Sequence, residues 1–223
     1  MNNIKLIIFD FDGTMSDSKW IWEHVNKIYF KEHGIDLNDE LKKSIAAMSS
    51  ERIAEFIKDK YKIDESISEI IQSWNKIAIG YYKKDIYLKE GLEQYLCFLK
   101  KHKIKIGIAT GGSKELVDSF LINHDLTRYI DLVVDTSIVK KGKPFSDIYQ
   151  YVADYFKVNY EQCLVYEDVI ACLASVSKIG MKTCFVYDEK TSENGEEMYR
   201  TIYSFKNEIE HLLGERYVSG SGI

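Results

Sequence analysis

The sequence predicts an α/β protein: a Rossmann-like parallel sheet with helices on both faces, and an all-helical cap inserted after the first strand. Three observations carry this. The opening run Ile4-Lys5-Leu6-Ile7-Ile8-Phe9 is nearly all β-branched or large apolar residues without clean alternation, as expected of a strand buried on both faces. From Gly91 onward, apolar strand-like runs alternate with amphipathic helical runs, which implies parallel strands joined by helical crossovers. Between them, residues 18 to 83 show helical periodicity and no strand pattern.

The first strand gives out at Asp10-Phe11-Asp12-Gly13-Thr14, where Gly13 lets the backbone turn sharply. A helix then starts at Asp17 or Ser18, either of which can cap it, and Gly34 ends it; Ile21, Val25, Ile28 and Tyr29 share one face. Ser49-Ser50-Glu51 opens a second helix around Ile53, Phe56 and Ile57. A third carries Ile67, Ile70, Ile71, Trp74, Ile77, Ala78 and Tyr81 at helical spacing. Beyond Gly91 comes a helix around Leu92, Leu96 and Leu99, the strand Ile104 to Ala109, and a helix around Leu116, Val117, Phe120 and Leu121. A strand near Leu132-Val133-Val134, a helix over 148–156, the strand Cys163 to Tyr166, a helix over 171–178 and a strand over 183–187 follow. The α/β core is therefore expected over residues 1–16 and 88–215, the cap over 17–87, and a flexible tail over 216–223. The chain crosses between core and cap near 14–18 and 84–90.

The composition, 45% hydrophobic and 29% charged over 223 residues, is that of a globular chain able to bury about 70–75% of its surface without staples. A net charge of −5 supplies no general pull toward nucleic acid or an anionic membrane, and the pairs Lys42-Lys43, Lys83-Lys84 and Lys140-Lys141 read as solvated faces. The first strand is too short for a signal segment or membrane span, so a cytoplasmic protein is expected, as a monomer or weak homodimer. Cys97, Cys163, Cys172 and Cys184 are widely spaced without a CxxC pair and read as reduced thiols. His24, His33, His102, His124 and His211 lack metal-ligand spacing.

In an open parallel sheet, ligands bind outside the carboxyl ends of the strands. Asp10 and Asp12 follow the first strand, Thr110-Gly111-Gly112-Ser113 the next, Lys143-Pro144 lies beyond the third, and Glu167-Asp168 follows the fourth. The Thr110 hydroxyl, the Gly111 and Gly112 amides before a helix N-terminus, and the charge of Lys143 suit a phosphate. The acids would repel a phosphate dianion unless a hard cation lies between them. Mg²⁺, held by one or two carboxylates plus substrate phosphate, fits, with Asp10 and Asp168 as ligands. Two carboxylates two residues apart then divide the work: one attacks phosphorus, and Asp12, protonated in the first step, passes protons.

The order of these segments resembles the haloacid dehalogenase superfamily, in the branch with a helical cap after the first motif, and the match covers almost the whole chain. The resemblance implies nucleophile Asp10 and acid/base Asp12 in the first motif, Thr110 as the second, Lys143 as the third, and Glu167-Asp168 as the acidic metal-binding fourth, with the main-chain carbonyl of Asp12 as a further Mg²⁺ ligand. It implies a phosphatase hydrolysing a small phosphorylated metabolite through an aspartyl phosphate. Asp12 argues against members that cleave carbon–halogen bonds or the bond of phosphonoacetaldehyde, which lack the second acid. Sugar-phosphate mutases resembling beta-phosphoglucomutase share all four motifs but carry a His where Trp22 stands and an Arg where Ser50 stands, with Arg52 nearby. A catalytically silent sensor of phosphometabolites or metal is a third reading. Cys172 stands where the family often has Gly, and Ser146 where it often has Pro. Trp20 and Trp22 serve either as cap core or as contacts to a ring-shaped leaving group.

Overall fold

A computed structural model describes residues 3–45, 50–188, 195 and 198–211. The short, wholly buried apolar runs that the sequence offers as strands become one six-stranded sheet. The strands are β1 (Leu6–Phe9), β2 (Lys105–Thr110), β3 (Leu132–Asp135), β4 (Cys163–Glu167), β5 (Lys182–Val186) and β6 (Thr201–Ile202). Every pairing is parallel and the order is β3-β2-β1-β4-β5-β6, so β1 lies between β2 and β4. In register, Phe9 faces Ile108 on one side and Tyr166 on the other. All four residues of β1 and all five of β4 are buried, which explains their unbroken apolar reading. β6 lies outside the sequence expectation: two residues do not make a periodic signal.

The helices are α1 (Lys19–Glu32), α2 (Asp39–Ile45), α3 (Ser50–Tyr61), α4 (Ile67–Lys84), α5 (Leu92–Lys101), α6 (Lys114–Asn123), α7 (Asp147–Phe156) and α8 (Ile170–Lys178). Met1–Ser18 and Ile86–Ile223 form one compact unit, and Lys19–Asp85 a second. In the first unit, Ile148, Tyr149, Val152 and Ala153 of α7 and Cys172 and Val176 of α8 share a core with Leu6, Ile8 and Val165 of the sheet. Phe9, Tyr95, Tyr166 and Phe205 form a separate aromatic cluster with centroids 5.2–6.2 Å apart.

The second unit is α1 to α4. α4 opens with a capping box: the Ser66 hydroxyl accepts from the Glu69 amide at 3.2 Å, and the Glu69 carboxylate accepts from the Ser66 amide at 2.7 Å. Its buried stripe is Ile70, Trp74, Ala78 and Tyr82, so Tyr82 rather than Tyr81 completes the apolar face. α2 is absent from the sequence reading because only Leu41 and Ile45 are apolar; both are buried, and Asn38 accepts from the Leu41 amide at 2.9 Å.

The units divide at 18/19 and 85/86 rather than at 16/17 and 87/88. The crossing segments pair with each other: Ser16 bridges Leu88 antiparallel, Asp17 N–H donates to the Tyr87 carbonyl at 3.0 Å, and Lys89 N–H to that of Met15 at 2.9 Å. The end of the expected core, near 215, and the expected tail, 216–223, lie outside the described residues. All four cysteines are free thiols; three are buried and Cys97 is half-buried. Among the described residues no helix is long and apolar enough to cross a membrane.

Candidate active site

β1 ends at Phe9, but the ladder continues for one residue, because the Asp10 amide donates to the Tyr166 carbonyl at 2.9 Å. Asp10 therefore emerges at the centre of the sheet beside Glu167, the last residue of β4. The backbone then closes tightly. The Phe11 carbonyl accepts from the amides of Thr14, Met15 and Ser16 at 3.3, 3.0 and 3.2 Å, and Gly13, at φ 94°, donates to the Ser16 carbonyl at 2.9 Å. That φ disfavours any side chain, which accounts for glycine between Asp12 and Thr14. Phe11 anchors the turn from below, wholly buried and edge-on to Phe120 at 5.1 Å.

The structure brings Asp10, Lys143, Glu167 and Asp168 together. Carboxylate oxygens of Asp10, Glu167 and Asp168 lie within 4.8 Å of one another, and all three residues are buried. Lys143 Nζ donates to Asp10 Oδ1 and, at 2.7 Å, to Glu167 Oε2. Asp10 Oδ2 is buried and has no hydrogen-bond partner among the described residues. Burial and the Glu167 charge raise the Asp10 carboxyl to about 7, against the opposing pull of Lys143. Glu167 behaves oppositely: burial pushes it up, but Lys143 and the hydrogen bonds it accepts bring it below the usual carboxylate range. Burial disfavours the Lys143 charge, and the Asp10 and Glu167 carboxylates more than reverse this, so it remains an ammonium.

The Asp12 carboxylate is not one of that group of three. Ser18, offered by the sequence as a helix cap, spends its hydroxyl proton on Asp12 Oδ1 at 2.5 Å, and Ser16 and Ser18 hydroxyls meet at 2.8 Å. Thr110, the last residue of β2, is wholly buried, and its hydroxyl accepts from the Gly112 amide at 2.9 Å. The Gly112 N–H, expected to face an anion, is thus consumed within the turn, whereas Gly111 is exposed. A Cβ at Gly111 would lie 3.8 Å from Lys143 Cδ, so the β2 turn runs over the stem of that lysine.

Sequence reasoning missed Tyr149. It is wholly buried on α7, donates to Glu167 Oε2 at 2.5 Å, and its ring lies 5.3 Å from Lys143 Nζ. Burial, then the Glu167 charge, holds its phenol well above the usual range, so it stays a donor. A signal was present: a phenol on the otherwise apolar buried face of a helix, with Ile148, Val152 and Ala153, needs a polar partner.

The donor set fits a hard divalent cation. It consists of oxygens alone, carries three carboxylates against one ammonium, and includes the orphaned Asp10 Oδ2.

The model of the haloacid dehalogenase-like hydrolase family matches residues 7–186. The chain is 24% identical over 187 residues to the phosphorylated carbohydrates phosphatase of Thermotoga maritima, covering 82% of this chain and 84% of that one. It is 26% identical over 225 residues to the beta-phosphoglucomutase of Bacillus subtilis, covering 96% and 97%. Among solved structures, CbbY from Rhodobacter sphaeroides in complex with phosphate shares the fold with a TM-score of 0.80 at 20% identity, over 91% of this chain and 95% of that one.

Proposed function

Since the chain belongs to the haloacid dehalogenase-like hydrolase family, we propose that it is a Mg²⁺-dependent phosphatase hydrolysing a small phosphorylated metabolite through a phosphoryl group carried on Asp10. The observation that carries this is the Lys143 ammonium held between Asp10 and Glu167 with Asp10 Oδ2 buried and unpartnered. A carboxylate in that position has one oxygen oriented by Lys143 and the other without a partner.

Asp10 and Asp168, with the main-chain carbonyl of Asp12, would hold Mg²⁺, whose charge offsets the carboxylates and the incoming phosphate, while Glu167, its oxygens taken up by Lys143, Tyr149 and two amides, would add its charge beside the ion. The chain's own residues do the rest. The Asp10 carboxylate attacks phosphorus, the phosphoryl group transfers to it, and the alcohol oxygen departs. Asp12 gives that oxygen its proton and later takes one from the water that hydrolyses the acyl phosphate. Ser18 fixes the Asp12 carboxyl for this exchange. Lys143 neutralises charge on the equatorial phosphate oxygens, and Thr110 and the Gly111 amide offer donors to the same group.

The test is a phosphate-release screen over a broad panel of monoesters with Mg²⁺, run beside Asp10→Asn. Release by the wild type and loss in the variant is the expected result; no release from any monoester, or full activity of Asp10→Asn, overturns it. A mutase reading is favoured by the 26% identity to a beta-phosphoglucomutase across nearly the whole of both chains. The same panel separates the two: a mutase returns isomerised sugar phosphate in place of free phosphate. Trp22, standing where those mutases carry His, favours hydrolysis.

A further inference from the structure

Resting on the phosphatase reading, we infer that Tyr149 is a positioning residue for phosphoryl transfer, acting through Glu167 to aim the Lys143 ammonium. The inference comes from counting donors and acceptors. Glu167 Oε1 accepts from the amides of Asp168 and Val169, both at 3.2 Å, and Oε2 accepts from Lys143 at 2.7 Å and Tyr149 at 2.5 Å. An ionised carboxylate offers about four lone-pair sites, so these four donors fill it. An ammonium has three protons; Lys143 gives one to Glu167 and one to Asp10, which leaves the third for a ligand.

Tyr149 maintains that count in two ways. Its hydroxyl occupies the lone pair on Oε2 that Lys143 would otherwise take as a second bond. Its ring, with the centroid 5.3 Å from Nζ, also supports the cation electrostatically. A lysine stem is flexible and keeps one geometry only when its surroundings impose it. With the hydroxyl removed, Oε2 has a vacant acceptor in a dry site, and Lys143 gains by turning toward Glu167 and away from Asp10. Tyr149 itself cannot drift. It is wholly buried within the core of Ile148, Val152, Ala153 and Cys172. Among the described residues its hydroxyl donates to Glu167 and not to Asp10, so its effect is indirect.

Tyr149→Phe keeps the ring and its cation contact and deletes only the hydroxyl. The expected result is a kcat lower by about 10- to 100-fold, the range for residues that orient an active-site group, with KM changed less than about threefold. The affinity for inorganic phosphate, measured by calorimetry with Mg²⁺ present, falls in parallel, a readout independent of turnover. A merely structural tyrosine would lower the melting temperature while leaving both values for the folded fraction unchanged, and that result overturns the inference. The second arm is Glu167→Gln alone and with Tyr149→Phe. If Tyr149 acts through Glu167, the double variant binds phosphate as weakly as Glu167→Gln and no weaker; additive losses overturn it. A wild type that neither hydrolyses monoesters nor binds phosphate refutes the phosphatase reading itself. An active wild type matched by Tyr149→Phe refutes only the role of Tyr149.

Discussion

Tyr166 and Glu167 are neighbours on β4, and because successive strand residues point to opposite faces, they enter two different buried ionic clusters. On one face, Tyr166 donates to Glu208 Oε2 and shares a 2.8 Å hydrogen bond with Tyr95, while Arg200 grips Glu208 with two bonds of 2.7 and 2.8 Å. On the other, Tyr149 donates to Glu167, and Lys143 spans Glu167 and Asp10 with Asp168 alongside. Both clusters use the same parts: a tyrosine and a cation converging on a glutamate. They differ in balance. The first sets one guanidinium against one carboxylate and contains no orphaned side-chain atom among the described residues; the second sets one ammonium against three carboxylates and leaves Asp10 Oδ2 unpartnered. A buried pair that closes on itself holds the fold, whereas a buried excess of charge with an open oxygen is arranged to receive something from outside.

The comparison can be broken most sharply at Asp10. Asp10→Asn should lower kcat by at least about 1,000-fold, as loss of a nucleophile does, yet leave the metal-free protein more stable. The sign follows from the raised carboxyl: the folded state disfavours its ionised form, so above the unfolded value of 3.8 the residue costs stability, fully so above about pH 7. Melting of the metal-free variant at pH 8 should therefore occur higher than in the wild type, by about 2–4 °C per kcal/mol relieved. A lower melting temperature would place Asp10 with the closed pairs.

Glu208→Gln should do the opposite. Leaving the half-buried Arg200 without its carboxylate should cost about 1–3 kcal/mol in urea unfolding, with kcat of the folded enzyme within about twofold of wild type. Mg²⁺ sharpens the contrast further. At 100 times its Kd it should add about 2.7 kcal/mol to the wild type by linkage, add as much to Glu208→Gln, and add far less to Asp10→Asn, read as melting with and without chelator.

The smallest effect is expected where charge excess meets solvent. Asp131 accepts from Lys100 at 2.8 Å, Lys105 at 3.3 Å and the Ile106 amide at 2.9 Å. Burial pushes its carboxyl up, and Lys100, the Ile106 amide and Lys105 bring it below the usual range. Its contribution is therefore full above about pH 4 and is lost as pH falls through the lowered folded value. Asp131→Asn should cost about 1 kcal/mol at pH 7, a deficit that shrinks toward pH 3 in a urea series.

Much of the fold was legible because its signals are local. Burial on both faces wrote β1 and β4 as unbroken apolar runs, and helical spacing marked α4. The elements that escaped, α2 and β6, are too short to display a period. The acids and Lys143 were legible for a related reason: chemistry at a parallel sheet gathers where strands end, and strand ends can be read along the chain.

What the sequence determined by itself is thus the order of strands and helices and the polar residues delivered beyond each strand. Which group each one meets was decided only by tertiary structure. Lys143 reaches Asp10 across 133 positions, Tyr149 reaches Glu167 across 18, and Tyr166 reaches Glu208 across 42. The Gly112 amide turned inward to Thr110, and the Ser18 hydroxyl turned to Asp12. Periodicity reports only whether a side chain faces the core. Whether a buried phenol or carboxylate closes a pair or leaves one open depends on distances of about 3 Å between residues that the chain itself keeps far apart.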